Sequence, residues 1–444
     1  MRIPVADAAR AMNARIVGDQ SVIYTGVSYD SRSLAAGNLF VAVVAARDGH
    51  DFVTDAVRAG CSAVLVSREV PGCTVPQIVV SDTSVGLTDL GRWARGVLAT
   101  QIDGRVVGIT GSVGKTTTKD YVATALRTRY RVGASEKSLN NDQGMPVTLL
   151  NAPDDASALV LEMGMRGFGE IARLAALARP DIAVITRVGE SHGERVGGID
   201  GIARAKGELI EALPPTGIAI LNADDERVAA MRELTDARVF AYGATESSDM
   251  RFSDVEPRGA DGVSFRFTSR WGSGACLLPT PGLHMVSNAA AALLVAAVTD
   301  CDLATVAAAL GRSELSPMRM AIQRVGGVTI IDDSYNASPT STIAALDTMA
   351  SMPAGRRIAV LGLMAEIADS EAMHRAVATH AAKLGIDVVA VGTDLYGARR
   401  ADDHDEVATM VKSLPADSVV LFKASRVVGL DRIVRVLMAP NIGA

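Results

Sequence analysis

The chain has 444 residues, 48% of them apolar and 21% charged, and carries a net charge of −6. That length exceeds one ordinary hydrophobic core, so two or three domains are expected, and the apolar share excludes a disordered chain. No run of Lys or Arg is longer than the pair Arg356-Arg357, so the basic face of a nucleic-acid binder is missing; the scattered Cys61, Cys73, Cys276 and Cys301 show neither zinc spacing nor a disulfide framework.

Residues 1–16 mix Arg2, Asp7, Arg10 and Arg15 with small apolar residues and lack the apolar core of a signal peptide, so a cytoplasmic protein is expected. Short apolar runs at 63–66, 77–80, 105–110, 158–162, 182–186 and 217–222 suit buried parallel strands, with helical stretches between them. The expected class is therefore α/β. A helix predicted over 84–98 separates an N-terminal segment from the strand that starts at Arg105, which puts a domain boundary near residue 82.

From 250 to 281 the rhythm changes to polar/apolar alternation, as in Val263-Ser264-Phe265-Arg266-Phe267, with turns at Gly259, Gly262, Gly272 and Gly274. An antiparallel excursion is predicted there. The Ala-rich run 289–298 is too short to span a bilayer and reads as a buried helix, so no membrane insertion is expected. After the Ser316-Pro317 break come further apolar runs at 328–331, 358–362, 387–391 and 419–423. The expected domains are 1–82, 83–314 and 315–444, joined by short hinges in a chain expected to act as a monomer.

One segment carries chemistry by itself. Val106-Val107-Gly108-Ile109 is an apolar strand that feeds Thr110-Gly111-Ser112-Val113-Gly114-Lys115-Thr116-Thr117, with a helix predicted to begin near Lys115. Glycines there let successive backbone N–H groups turn inward onto phosphate oxygens, and the helix start adds its positive dipole end. In such a loop Lys115 reaches the β- and γ-phosphates of ATP and Thr116 ligates magnesium. Ile109 stands where the strict pattern has a further glycine, so this is a narrower variant of the phosphate loop.

That variant loop and a series of motifs resemble the Mur ligase family. The series runs through Asp30-Ser31-Arg32, Gly37, Leu39-Phe40-Val41-Ala42, Asp48-Gly49-His50-Asp51-Phe52, Asn140-Asn141, Gly144-Met145-Pro146, Glu162-Met163-Gly164, Gly189 with His192, and Ala205-Lys206-Gly207-Glu208. It continues through Pro317-Met318-Arg319-Met320, Asp332-Asp333-Ser334-Tyr335-Asn336, Met364 with Glu366, and Lys423 with Ser425-Arg426. The resemblance covers nearly the whole chain. It implies three α/β domains: a central doubly wound parallel sheet carrying the phosphate loop, an N-terminal domain for a uridine nucleotide substrate, and a Rossmann-like C-terminal domain.

The resemblance also implies the chemistry. Family members transfer the γ-phosphoryl group of ATP to a carboxylate, and an amine then displaces phosphate from the acyl phosphate. The branch matched here adds D-alanyl-D-alanine to a UDP-N-acetylmuramoyl tripeptide, so the implied partners are a UDP-linked peptide and a dipeptide or amino-acid amine. Residue by residue, it implies magnesium at Thr116, Glu162 and His192, and a carbamylated Lys206 as a further anionic ligand. It implies catalytic roles for Lys115, Lys206, His192 and Glu162, and nucleotide contacts from Thr110 to Thr117 and from Arg319 and Asp333. Ser31, Arg32, Asp48, Gly49, His50, Asn140, Asn141, Tyr335, Asn336, Lys423, Ser425 and Arg426 are implied to bind substrate.

Asn288 has two readings, an adenine contact or the N-cap of the Ala-rich helix. Met285 replaces the family's first adenine-site asparagine, and Arg187 sets a cation beside the expected metal, which opposes metal binding unless it points away. Leu363, Ala424 and Ser338 depart from the family near the acceptor site, and the segment between Phe40 and Asp48 is one residue short. Two alternatives accompany the ligase reading: the same chemistry on other partners, or a nucleotide-binding module without catalysis.

Overall fold

The computed structural model describes residues 1–439 apart from 137, 191–195, 366 and 368. Among the described residues, three larger sheets organise the chain, beside a two-stranded antiparallel pair of Arg2–Pro4 with Ile23–Thr25. The N-terminal sheet has five strands in the spatial order Arg15–Val17, Gln77–Val79, Ala63–Val66, Leu39–Val41 and Val27–Ser28. All its neighbours are parallel except the edge strand Arg15–Val17.

The central sheet has nine strands, with Val106–Thr110 between Ile182–Ile185 and Ala158–Glu162. Strand Val106–Thr110 is buried along its whole length, as expected of a parallel strand covered on both faces. The predicted antiparallel excursion is not a separate layer: Met250–Pro257 joins the sheet in parallel beside Arg238–Gly243. Val263–Ser269 and Gly272–Leu278 then extend it antiparallel to a free edge. Alternation survives in these strands because one face packs on the helix Leu283–Val298 and the other meets water.

The C-terminal sheet has six strands, of which Val328–Asp332, Ser418–Lys423, Arg356–Gly362 and Asp387–Val391 form the parallel middle. The two edges, Ala321–Val325 and Arg399–Ala401, were not expected from the sequence; both are short or half-exposed and lack a continuous apolar run. Among the described residues no helix is long and apolar enough to cross a membrane.

Helix Thr83–Val97 starts where a cap dictates. The Asp82 carboxylate accepts from the backbone N–H groups of Ser84 and Val85 at 2.7 and 3.1 Å. The helix packs on Gly144–Leu150, and Gly91 has no room for a side chain because a Cβ there would lie 2.7 Å from Pro146. Its apolar face belongs to a core shared by the N-terminal segment and one face of the central sheet, including Ile3, Leu39, Leu90, Leu150 and Leu161. The N-terminal domain is thus tied down by packing and by Asn151, which accepts from Val27 N and donates to Val27 O. Asp82→Ala should cost about 1 kcal/mol of stability by leaving two helix-start N–H groups without their acceptor. A urea unfolding titration reads this as a lower midpoint at unchanged slope.

Candidate active site

The phosphate loop lies at the C-terminal end of the central strand and is held by its neighbours. Ser112 N donates to Arg187 O at 2.7 Å, and Ser112 Oγ donates to Gly189 O at 2.7 Å. Thr186 Oγ1 donates to Val113 O at 2.6 Å, while Thr110 Oγ1 donates to Met163 O at 2.8 Å. Gly114 has φ 86° and precedes the helix Lys115–Leu126; a Cβ there would sit 2.7 Å from Asn288 Oδ1. The loop therefore needs glycine at 114 for both conformation and space.

Lys115 folds back over this loop, donating to Gly111 O at 2.7 Å and to Ser112 O at 3.3 Å. Beside it, Thr116 Oγ1 donates to Glu162 Oε2 at 2.8 Å, and Asn140 Nδ2 donates to Glu162 Oε1 at 2.7 Å. Glu162 is 1% exposed. A buried carboxylate held by an amide and a hydroxyl is a ligand type that a divalent cation fits.

Lys206, on the helix Ile199–Glu211, is also buried, and no hydrogen bond or ion pair engages its amine among the described residues. Desolvation, then the neighbouring Lys115 charge, holds its pKa well below the ordinary lysine value. The amine is thus a candidate neutral nucleophile. His192 lies outside the described residues, as does Glu366.

The C-terminal domain closes the other side. Arg319 Nη2 donates to Thr116 Oγ1 at 3.2 Å, and its guanidinium carbon stacks 4.2 Å from the Tyr335 ring centre. Met318 and Met320, on either side of it, both have left-handed backbone, with φ of 61° and 52°. Met320 N donates to Asp333 Oδ1 at 3.2 Å, and Asp333 pairs through its other oxygen with Lys423. Lys423 also donates to Asn336 O at 3.1 Å.

These groups line one cavity of about 770 Å³. Its walls hold Ser112 to Thr117, Asn140, Asn141, Glu162, Lys206, Asn288, Arg319, Asp333, Tyr335, Asn336 and Lys423. Thr110 and Gly111 stand behind the loop and hold its shape. Asn288 lies inside the helix Leu283–Val298, whose N-cap is Gly282, so the capping reading of Asn288 is excluded.

Other expected substrate contacts lie apart from the cavity. His50 Nδ1 meets Asp48 Oδ1 at 2.5 Å, its Nε2 accepts from Ser67 N at 2.9 Å, and Asp48 also binds Arg68. A Cβ on Gly49 would fall 2.6 Å from the Ala42–Val43 backbone, so Asp48, Gly49 and His50 together fix a tight turn within the N-terminal domain. Ser31 and Arg32 sit near that domain's surface, with Arg32 paired to Asp30. Ser425 Oγ accepts from Ala365 N at 2.8 Å, and Arg426 pairs with Asp431 at 2.9 Å; neither lines the cavity.

The departures read from the sequence acquire local causes. Arg187 is directed toward Asp225, its Nε 4.0 Å from Oδ2, and serves the phosphate loop through its carbonyl. Met285 is buried against the apolar core and forms part of the cavity lining. Ala424 is fully buried, and a Cβ on Gly362 would meet its methyl at 2.7 Å, so the two positions share one methyl's worth of space.

Sequence reasoning missed His284, which lines the cavity facing Asp333 and Lys423. Burial first, opposed by Asp333, lowers its pKa to about 4, so the imidazole is neutral at physiological pH. Its place four residues before Asn288, one helical turn away, was the available signal.

Two descriptions of known families fit the chain: Mur ligase middle domain over residues 109–296, and the Mur ligase glutamate ligase domain over residues 318–426. It is 35% identical to the UDP-N-acetylmuramoyl-tripeptide--D-alanyl-D-alanine ligase of Escherichia coli, over 96% of each chain. It is 34% identical to the enzyme of that name from Bacillus subtilis, over 98% of this chain and 97% of the other. Among solved structures, MurF from Acinetobacter baumannii superposes with a TM-score of 0.86 at 28% identity, covering 99% of both chains. MurF ligase from Thermotoga maritima in complex with ADP gives 0.79 at 28% identity, covering 93% of this chain and 97% of that one.

Proposed function

Because this chain belongs to the Mur ligase family, we propose that it joins D-alanyl-D-alanine to a UDP-N-acetylmuramoyl tripeptide, the reaction for which its relatives are named. It is an ATP-dependent ligase of peptidoglycan precursor synthesis. One observation carries the reading most directly: a buried Lys206 amine, unpaired among the described residues, shares a cavity with the phosphate-loop lysine and the Thr116–Glu162 pair. A bare nucleotide-binding module has no use for that arrangement.

A carboxylate is a poor electrophile at neutral pH, so the peptide carboxylate first attacks the γ-phosphorus of ATP and ADP leaves. The acceptor amine then attacks the acyl carbon, loses a proton, and inorganic phosphate departs. Lys115 neutralises charge on the transferring oxygens, and the loop N–H groups fix the phosphate chain in line. Thr116 and Glu162 would hold magnesium, which supplies charge neutralisation at the β- and γ-phosphates. Lys206, once carbamylated, adds a second anion to that set. Asn288, packed against Gly114, borders the nucleotide end, while Arg319 and Asp333 bring the C-terminal domain onto it.

A substrate labelled with ¹⁸O in the peptide carboxylate tests the acyl-phosphate route. One labelled oxygen is expected in the released phosphate. Unlabelled phosphate, or phosphate release from ATP without either peptide, would reject the ligase reading.

A further inference from the structure

The cavity continues past Glu162 along the loop that follows its strand, and that wall has a charge for which the reaction above gives no task. Gly164 N donates to Asn140 O at 2.8 Å, and Arg166 N donates to Glu170 Oε2 at 2.7 Å, so the loop is fixed at both ends. The Arg166 side chain is exposed and lines the cavity. Its guanidinium has no hydrogen-bond or ion-pair partner among the described residues.

Of the other cavity cations, only the buried Lys206 also lacks a partner among the described residues. Lys423 is paired with Asp333, Arg319 is spent on Thr116 and Tyr335, and Arg187 leans toward Asp225. The nearby Asp142 is taken by Arg173 at 3.2 Å. What this wall offers a ligand is therefore a rigidly based, planar double donor, the group best matched to a carboxylate.

We propose that Arg166 receives a carboxylate on the side chain of the peptide's third residue, so that this enzyme selects a tripeptide ending in a diamino diacid over one ending in lysine. The inference rests on the ligase reading given above. The reacting carboxylate must lie beside Lys115 and Glu162, and Arg166 follows Glu162 by four residues, in the loop that leaves that strand, and lines the same cavity. The 2,6-diaminopimelate residue named for the ligase of Acinetobacter baumannii carries a carboxylate and an ammonium at its far end. Arg166 suits the first and the neighbouring Glu170 the second. A lysine side chain would bring only an ammonium toward the guanidinium.

The test compares kcat/KM for the two UDP-linked tripeptides, ending in 2,6-diaminopimelate or in lysine, in the wild type, Arg166→Met and Arg166→Lys. The wild type should favour the diaminopimelate peptide. Arg166→Met should collapse that preference by about 10- to 100-fold, the range for losing a charged hydrogen-bond pair. The change should sit mainly in KM for the peptide, with KM for ATP unmoved, and Arg166→Lys should restore part of it. A wild-type preference for lysine, or equal losses on both peptides, overturns the assignment, the second by placing Arg166 on a carboxylate common to both. A wild type inert with both peptides overturns the reaction, and this inference with it.

Discussion

Lys115→Ala is expected to lower kcat by roughly 10²–10³-fold, the range for removing one preorganised donor from developing negative charge. The side chain is only partly buried, and the loop is held independently of it through Ser112, Thr186 and Thr110, so the loop keeps its shape when the amine is gone. Binding of ATP should weaken far less than turnover, because the loop N–H groups remain. Lys115→Arg should restore little, since a planar fork does not fit where a compact ammonium approaches two phosphates. Phosphate release at saturating substrates, with calorimetry of nucleotide binding alongside, separates the two effects. Near-normal kcat in Lys115→Ala would mean that this loop is not where phosphoryl transfer occurs.

The central strand, its loop and the helix at Lys115 were legible because each rests on a local rule: an apolar run for burial, glycine for left-handed backbone, and a lysine at the helix start. The whole-chain resemblance also pointed to the family and to the groups that meet in the cavity. The sheet edges were not legible. Arg399–Ala401 is three residues long, and Ala321–Val325 is half-exposed, so neither leaves a run that differs from a loop. Met250–Pro257 alternates like an antiparallel strand although its first neighbour is parallel, because alternation reports exposure of one face and says nothing of strand direction.

Contacts across the fold were equally hidden. Asn288 looked like a possible cap from its place before alanines, yet the helix begins five residues earlier and the side chain meets Gly114. The charge of Arg187 beside the metal residues looked adverse, and only the position of Asp225 shows where that charge is drawn. In the same way, the buried partner of Ala424 is Gly362, remote in sequence, so a change that seemed to concern the acceptor is absorbed in packing.

Lys206→Ala is expected to reduce turnover by at least about 100-fold and to be partly rescued by acetate or formate. An ammonium at this position would be buried beside Lys115 without a counter-charge among the described residues, so the neutral amine is favoured near neutral pH. A neutral amine adds carbon dioxide, forming a carbamate and releasing one proton, and the cation-prone site becomes anionic. That anion would offset Lys115 and complement Glu162 in holding a metal ion. Because the reaction releases a proton, carbamate content and activity should fall as pH falls, and fall further in buffer stripped of carbon dioxide. Protein equilibrated with ¹³C-bicarbonate should show a carbamate carbon resonance that Lys206→Ala lacks. A variant that loses activity, binds no less label than the wild type and ignores added carboxylates would assign Lys206 to packing alone. Rescue by a small carboxylate answers that directly, since it restores a negative charge to the space the side chain vacates and restores nothing else.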